Sequence, residues 1–468
     1  MNSHAHLHPG MNPPKVTDDH AGLPKPRRWW AIAAICFGTS LLVLDGSIAN
    51  VALPTIARDL GVTEAAVTNV VTVYQLVLVM LLLPFSSLGD RMGHRRLYQI
   101  GQVLFMAASA ACYFADTFTI LLALRGVQAI GAAMALSVSA AMLRQIYPAS
   151  QLGAGLGLNS VIVASSAALA PTLGGYIVGN LAWQLVFVAA APLAIISLML
   201  GRFLPDPEPR NQTPKWKSAV LSAVTMLLLV GGIQLGTHDA LVWGIACFAL
   251  GVVALYLLVR REKRRDAPVF PVDLLAKPVI GLSALANFTS FISAGALMLA
   301  LPFRLENGMG YEPQTVGLLL LPFPLTMLVV SPLAGWASDR IAATKLGVTG
   351  MTIAIIGLAL LATMPDQPGG MGIAWRLSLT AMGFGLFFSP NSRLLIGRAP
   401  RDRAAAAGGL LSTSRLFGQT MAAVVVGIVL ASGLGLGPTP LYVSCALAVV
   451  AALASMARFS QRDNPANH

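Results

Sequence analysis

Long apolar runs separated by short polar or Pro/Gly-rich connections fill this chain from about residue 30 to residue 458. Each run holds about 20 residues, the length a helix needs to cross a hydrocarbon layer. The runs lack the alternation of apolar and polar positions that a barrel strand would show. Splitting at the charged and Pro/Gly connections predicts fourteen spanning helices. They lie near 30–53, 64–85, 97–115, 119–143, 153–179, 183–204, 218–236, 241–259, 279–303, 313–337, 346–364, 372–397, 404–431 and 438–458.

The polar connections divide these helices. Residues 1–28, rich in His, Pro and Asn, read as a disordered tail, and residues 460–468 as a second tail. A Pro-rich segment around Pro205, Pro207 and Pro209 ends a first set of six spans, 29–204. The basic stretch Arg260–Arg265 precedes a second set of six, 279–459. Between them, 205–278 carries two additional spans without a counterpart in a six-plus-six design. The expected fold is therefore all-α and integral to the membrane, with two six-helix bundles and two extra linker helices.

Composition agrees. The chain has 468 residues, 56% hydrophobic and 11% charged, whereas a soluble domain carries about 25% charged residues. The net charge of +12 would favour nucleic acid in a soluble protein. Here about 26 of the 31 Lys and Arg fall in alternate connections, beginning with the N-terminal tail, which is the positive-inside pattern. Arg58 and Arg304 are exceptions, and Arg376 lies near an outer end. Both termini are expected in the cytoplasm, and nucleic acid is not an expected partner. The basic Arg260–Arg265 stretch reads as a topology-setting loop that can also meet anionic lipid. Cys36, Cys112, Cys247 and Cys445 all lie inside apolar runs without ligand spacing. No metal or other cofactor is expected, no Walker loop is present, and no Ser/His/Asp set shares one depth, so an enzyme is not expected.

One charged loop occurs twice. Leu88-Gly89-Asp90-Arg91-Met92-Gly93-His94-Arg95-Arg96 lies between two runs, and Ala337-Ser338-Asp339-Arg340-Ile341-Ala342-Ala343-Thr344-Lys345 occupies the matching place in the second half. A repeat at this scale points to two bundles of similar build. The loop resembles the signature loop of the major facilitator superfamily of transporters, with Ser86 where that family usually has Gly. The resemblance implies a cytoplasmic latch made by Gly89, Asp90, Arg91, Gly93, Arg95, Asp339 and Arg340. Ala342 replaces the second-copy Gly, which weakens that copy. The plain alternative is a basic inner loop with a Gly turn.

Asp45 is the one acidic residue well inside any predicted span, about 22 Å along the first helix from Trp30 at about 1.5 Å per residue. A carboxyl at that depth is costly and is a functional candidate by default. Its surroundings, Leu44-Asp45-Gly46-Ser47-Ile48-Ala49-Asn50-Val51-Ala52-Leu53-Pro54, resemble the first-span motif of the fourteen-span drug:proton antiporters. Arg125, in Leu124-Arg125-Gly126-Val127-Gln128-Ala129-Ile130-Gly131, is similar to that family's fourth-span motif, with Ala129 for a Gly. The resemblance places Arg125 with Asp45 among proton-coupling residues. Desolvation favours the neutral acid and a nearby guanidinium favours the carboxylate; the sequence leaves open which wins and whether the two pair. A structural Asp45 bonded to Ser47 or to a neighbouring helix, and an Arg125 that snorkels outward, are the alternatives.

Ala170-Pro171-Thr172-Leu173-Gly174-Gly175 in the fifth span resembles the exporters' antiporter motif, which marks Pro171, Gly174 and Gly175. Gly383–Asn391 and Ser414–Gln419 resemble late-span patterns of the same exporters. Tyr74, Gln75, Asn287, Phe288, Phe291 and Phe387 are expected to line the substrate site. Arg415 is a second deep charge, for which a structural partner is expected.

Together these readings predict a multi-pass protein of the bacterial inner membrane, acting as a monomer. It would exchange protons for small amphiphilic toxic compounds, cationic ones among them, by alternating access. With Asp45 the single deep acid, neutral, zwitterionic and monovalent compounds are as well suited as dications. A metabolite transporter on the same fold and a non-transporting membrane sensor are the rival readings.

Overall fold

The computed structural model describes residues 22–147, 152–205, 216–236, 241–263, 272–338, 340–365, 368–400 and 404–460. Long helices dominate. We label them α1 (Lys25–Asp59), α2 (Asn69–Met92), α3 (His94–Cys112), α4 (Phe118–Ile146), α5 (Leu152–Asn180), α6 (Leu185–Phe203, broken at Ala189), α7 (Trp216–Gly236) and α8 (Leu241–Glu262). The second half supplies α9 (Pro278–Phe303), α10 (Pro313–Ala337, broken at Leu321), α11 (Ala343–Ala362), α12 (Gly369–Gly397), α13 (Ala404–Ala431) and α14 (Thr439–Ser460). Among the described residues, twelve helices are long and apolar enough to cross a membrane. Helices α3 and α5 fall outside that set; α3 opens on His94, Arg95 and Arg96 and carries Gln99 and Gln102.

Helix α1 starts earlier than the sequence suggests. Residues 25–28, expected in a disordered tail, form its first turn. Pro26 suits that turn because its missing N–H has no partner there in any helix. Arg27 donates to the carbonyls of Phe203 and Leu204 at 3.0 and 3.1 Å, and Arg28 to that of Leu23 at 2.9 Å. Residues 1–21 lie outside the described set.

The helix ends that carry Lys25, Arg91, Arg95, Lys277, Lys345 and Arg398 define a basic face. Near it the two halves have separate cores. One comprises Ala31, Ile35, Leu97, Tyr98, Val138 and Met142, the other Leu274, Ile280, Ala284, Leu395, Ala407 and Leu410. Toward the opposite face a single core joins them: Leu41, Ile48, Leu53 and Phe187 pack in one cluster with Ile292, Ala296, Phe303, Ala422 and Val426. The halves are thus packed together at one end and separately built at the other.

The linker helices attach to one seam. Met226 and Val230 of α7 share a buried cluster with Leu76 of α2 and Val424 of α13. Gln234 of α7 also donates to Asn69 Oδ1 at 2.8 Å. Helix α8 packs on α7 and presents Val242, Trp243, Ile245, Leu250 and Tyr256 outward, the all-round apolar surface of a lipid-facing helix. On the other seam, α5 meets α10 so closely that a Cβ on Gly175 would stand 2.7 Å from Pro313 O and 2.9 Å from Gly317 Cα.

Candidate functional site

Helix α1 carries Asp45 inward, and α4 presents Arg125 and Gln128 on one face, three residues apart. All three are buried: Asp45 and Gln128 are 0% exposed and Arg125 1%. Arg125 Nη1 donates to Asp45 Oδ2 at 2.9 Å, and Gln128 Nε2 donates to Asp45 Oδ1 at 2.9 Å. Arg125 also donates to Gln128 Oε1, while Gln128 Nε2 reaches Ser109 Oγ on α3 at 2.7 Å. Arg125 Nε bonds the Val70 carbonyl of α2 at 3.3 Å. The guanidinium carbon lies 4.1 Å from the Tyr74 ring centroid and 5.1 Å from that of Phe187. Five helices, α1, α2, α3, α4 and α6, therefore contribute to the cluster around one ion pair.

The arrangement has a clear physical basis. Burying two opposite charges costs several kcal/mol per ion unless their hydrogen bonds are completed. Here each Asp45 oxygen has a donor, and the guanidinium faces are covered by aromatic rings. Among the described residues Asp45 makes no bond to Ser47 and Arg125 does not snorkel outward; Asp45 is instead bonded to the neighbouring helix α4. Tyr74, expected to touch substrate, instead belongs to this cluster; its hydroxyl lies beside the Asp45 carboxyl without closing a hydrogen bond of ordinary geometry. Gln128, Ser109 and Phe187 were not singled out from sequence. Gln128 was within reach, since it stands in the same motif one turn from Arg125. Ser109 and Phe187 carry no local signal, because only packing brings α3 and α6 to this point.

The second half presents a different lining. Phe291 stacks on Phe388 at 4.2 Å, Phe388 on Phe384 at 5.7 Å, and Phe288 on Phe417 at 5.3 Å. Phe288, Phe291 and Phe388 are part-exposed. Phe387 is fully buried against α11, beside Gly347 and Gly350, so it packs the bundle rather than lining an opening. Asn287 is buried, with its Nδ2 on the Leu411 carbonyl at 3.3 Å and its Oδ1 without a partner. Gln75 Oε1, Asn50 Oδ1 and Thr172 Oγ1 are likewise buried without partners among the described residues. Arg458 is buried on Asn391 Oδ1 at 2.6 Å and Ser283 Oγ at 3.0 Å.

Among the described residues, no side chain of the repeated loop bonds across the two halves. Asp90 pairs with His94 on the next helix at 3.2 Å, and Arg91 is exposed. Gly93, at φ 93°, makes the tight turn that a side chain would strain, while Gly89 packs against Val138 of α4. Ala342 sits at φ −53°, so the second loop turns without glycine. Arg340, in the turn after α10, lies 4.3 Å from the ring centroid of Trp336 on that helix, and Asp339 lies outside the described residues. Arg95, part-buried, stays at the basic face.

The halves are instead clasped at the opposite face. Arg58, at the end of α1, forms an ion pair with Glu306, just beyond α9, and Thr55 Oγ1 donates to the same carboxylate at 3.3 Å. Asn307 bonds Glu64, and Asn180 donates to Gln314 at 3.4 Å. Arg304, the other exception to the charge rule, donates to the Leu361 and Ala362 carbonyls at the end of α11, where a helix dipole favours a cation. Pro171, Gly174 and Gly175 lie on α5 in this region. A Cβ on Gly174 would stand 3.0 Å from Ile48 of α1, and the Pro171 carbonyl abuts Gly317 of α10. No group of His, Cys, Asp and Glu with metal-binding arrangement occurs among the described residues.

Comparison with known proteins places this geometry. The "Uncharacterized transporter YebQ" of Escherichia coli (strain K12) is 41% identical over 454 residues, covering 96% of this chain and 99% of its own length. The "Riboflavin transporter RibZ" of Clostridioides difficile (strain 630) is 29% identical, covering 83% of this chain and 85% of its own. The "Multidrug efflux pump LfrA" of Mycolicibacterium smegmatis is also 29% identical, covering 86% and 81%. In fold, the chain is similar to a bacterial homologue of the human lysosomal transporter Spinster, solved inward-facing and occupied. That structure gives a TM-score of 0.69 at 16% identity, over 95% of this chain and 99% of that one. A D-xylose–proton symporter gives 0.67 at 15% identity, over 91% and 97%. The profile of the Major Facilitator Superfamily matches residues 35–273 and 283–468. With two helical halves clasped at one end and a family match along nearly the whole chain, the protein belongs to the Major Facilitator Superfamily of membrane transporters.

Proposed function

We propose that this protein is a fourteen-span, proton-coupled antiporter that exports small amphiphilic compounds by alternating access. The observation that carries the reading is the buried Asp45–Arg125–Gln128 cluster, a carboxyl held by a guanidinium and an amide in the first half. The long α3 and α5 at the third and fifth expected positions support counting fourteen spans. The basic face would be cytoplasmic, by the positive-inside rule. The present arrangement then corresponds to a state closed to the outside and parted toward the cytoplasm.

The mechanism follows from charge balance. With Asp45 ionised, the cluster is neutral and satisfied. Protonation of Asp45 leaves Arg125 buried without its counter-charge, a costly arrangement. That cost biases the bundles toward a state in which Arg125 finds another acceptor or water, and loss of the proton on the other side resets them. Substrate release coupled to proton uptake from outside, and proton release to the cytoplasm, give export. Among relatives, multidrug efflux pumps support an exporter of foreign compounds, and the riboflavin transporter supports a metabolite reading.

The test is transport in everted vesicles. Asp45→Asn is expected to abolish accumulation driven by a pH gradient while substrate-for-substrate exchange persists. Gradient-driven accumulation that survives Asp45→Asn, or that ignores a collapsed pH gradient, would overturn the reading.

A further inference from the structure

Arg415 lies in α13, about 16 Å along the helix from Ala404 at about 1.5 Å per residue. Its side chain is part-exposed, it has no hydrogen-bond or ionic partner among the described residues, and its Nε is buried and unsatisfied. A guanidinium at this depth stays charged and needs a counter-group. The structural partner expected from sequence does not occur among the described residues.

The surroundings describe the missing group. Leu411, Arg415, Gly418 and Ala422 form one stripe of α13, facing α9. Asn287 bonds the Leu411 carbonyl, and a Cβ on Gly418 would stand 2.8 Å from Phe291 Cβ. Asn287 and Phe388 lie at similar depth, each about 14 Å from the basic-face end of its helix. The part-exposed Phe291–Phe388 stack stands beside them. This level lies on the basic-face side of the shared core, where the halves have separate cores. The deep acids are already engaged, Asp45 by Arg125 and Gln128, Glu306 by Arg58. A cationic compound would therefore meet an uncompensated positive charge.

We infer that Arg415 is the anion-binding group of the substrate site, and that the site takes planar aromatic compounds bearing a carboxylate or a similar anionic acceptor. The anion accepts hydrogen bonds from Arg415, a charge-assisted pairing with bidentate geometry available. The ring system lies against the part-exposed Phe291 and Phe388. This rests on the transport reading for its purpose, yet binding alone tests it.

The experiment uses the full chain in nanodiscs and a matched pair of probes, 2-naphthoate and (2-naphthylmethyl)trimethylammonium, which share a ring and differ in charge. Equilibrium dialysis is expected to show about tenfold or greater preference for the carboxylate. Arg415→Gln should remove that preference, and Arg415→Lys should keep part of it. Near-UV circular dichroism of each variant checks folding, and the wild-type preference stands as a result without them. Equal binding of both probes, preference for the cation, binding of neither, or an unchanged preference in folded Arg415→Gln would overturn the inference. Proton coupling is read separately: gradient-driven export of the cation that is indifferent to Arg415 sinks this inference and leaves the antiporter reading standing. Selective carboxylate binding without any response to a pH gradient does the reverse.

Discussion

The two halves share an architecture and handle charge in opposite ways. In the first half the deep arginine is neutralised: Arg125 has Asp45, Gln128 and two aromatic faces. In the second half, Arg458 is held by neutral groups alone and Arg415 has no partner among the described residues. On the proposed antiporter reading, the closed cluster holds a balance that one proton upsets and the open one waits for a ligand. One fold would then divide coupling and recognition between its repeats, because a buried charge is cheap to keep only when its partner is built in.

The largest effect should come from removing one member of the closed cluster. Arg125→Gln leaves Asp45 buried without its counter-charge and should cost about 3–5 kcal/mol of stability, read as a lowered unfolding midpoint in detergent. The Asp45→Asn, Arg125→Gln double variant should recover part of that loss, while a fully additive loss would break the picture of one coupled unit. Phe388→Ala in the second half should act differently. It removes stacking worth about 0.5–1.5 kcal/mol per pair, so substrate KM should rise about two- to tenfold while the pH-gradient response stays intact. A lost gradient response would erase the division between halves.

Contacts between the halves should give smaller effects. Glu306→Gln weakens the Arg58 clasp, whose arginine is 57% exposed, so solvent limits the pair to about 1 kcal/mol. Labelling of a cysteine introduced at Gln314 by an impermeant maleimide should accelerate about fivefold, and the Arg58→Glu, Glu306→Arg exchange should reverse this. The smallest effect belongs to Asp90→Asn, which loses only the half-exposed His94 contact. It should change stability by less than about 0.5 kcal/mol, and a larger loss of transport than of stability would show that Asp90 works in another state of the cycle.

Much of this was legible in residue order. Spanning helices follow from run length, because a backbone in hydrocarbon must satisfy its own hydrogen bonds. Asp45 and Arg125 stood out because charge at depth is expensive. Gly93 could be placed at a tight turn from its neighbours. The latch was harder to read. The repeated loop drew attention to the basic face, yet the halves are clasped at the other end by Arg58 and Glu306, 248 residues apart. Phe387 and Phe388 are adjacent in sequence, and only helix rotation decides that one packs a core and the other is part-exposed.

The sequence by itself determined an all-helical membrane protein, its superfamily and the residues whose charge demands a partner, since hydropathy and desolvation act locally along the chain. Tertiary structure alone decided which charges are paired. Asp45 meets Arg125 and Arg58 meets Glu306, while Arg415 meets none among the described residues, because partnership depends on the rotation and approach of helices distant in sequence.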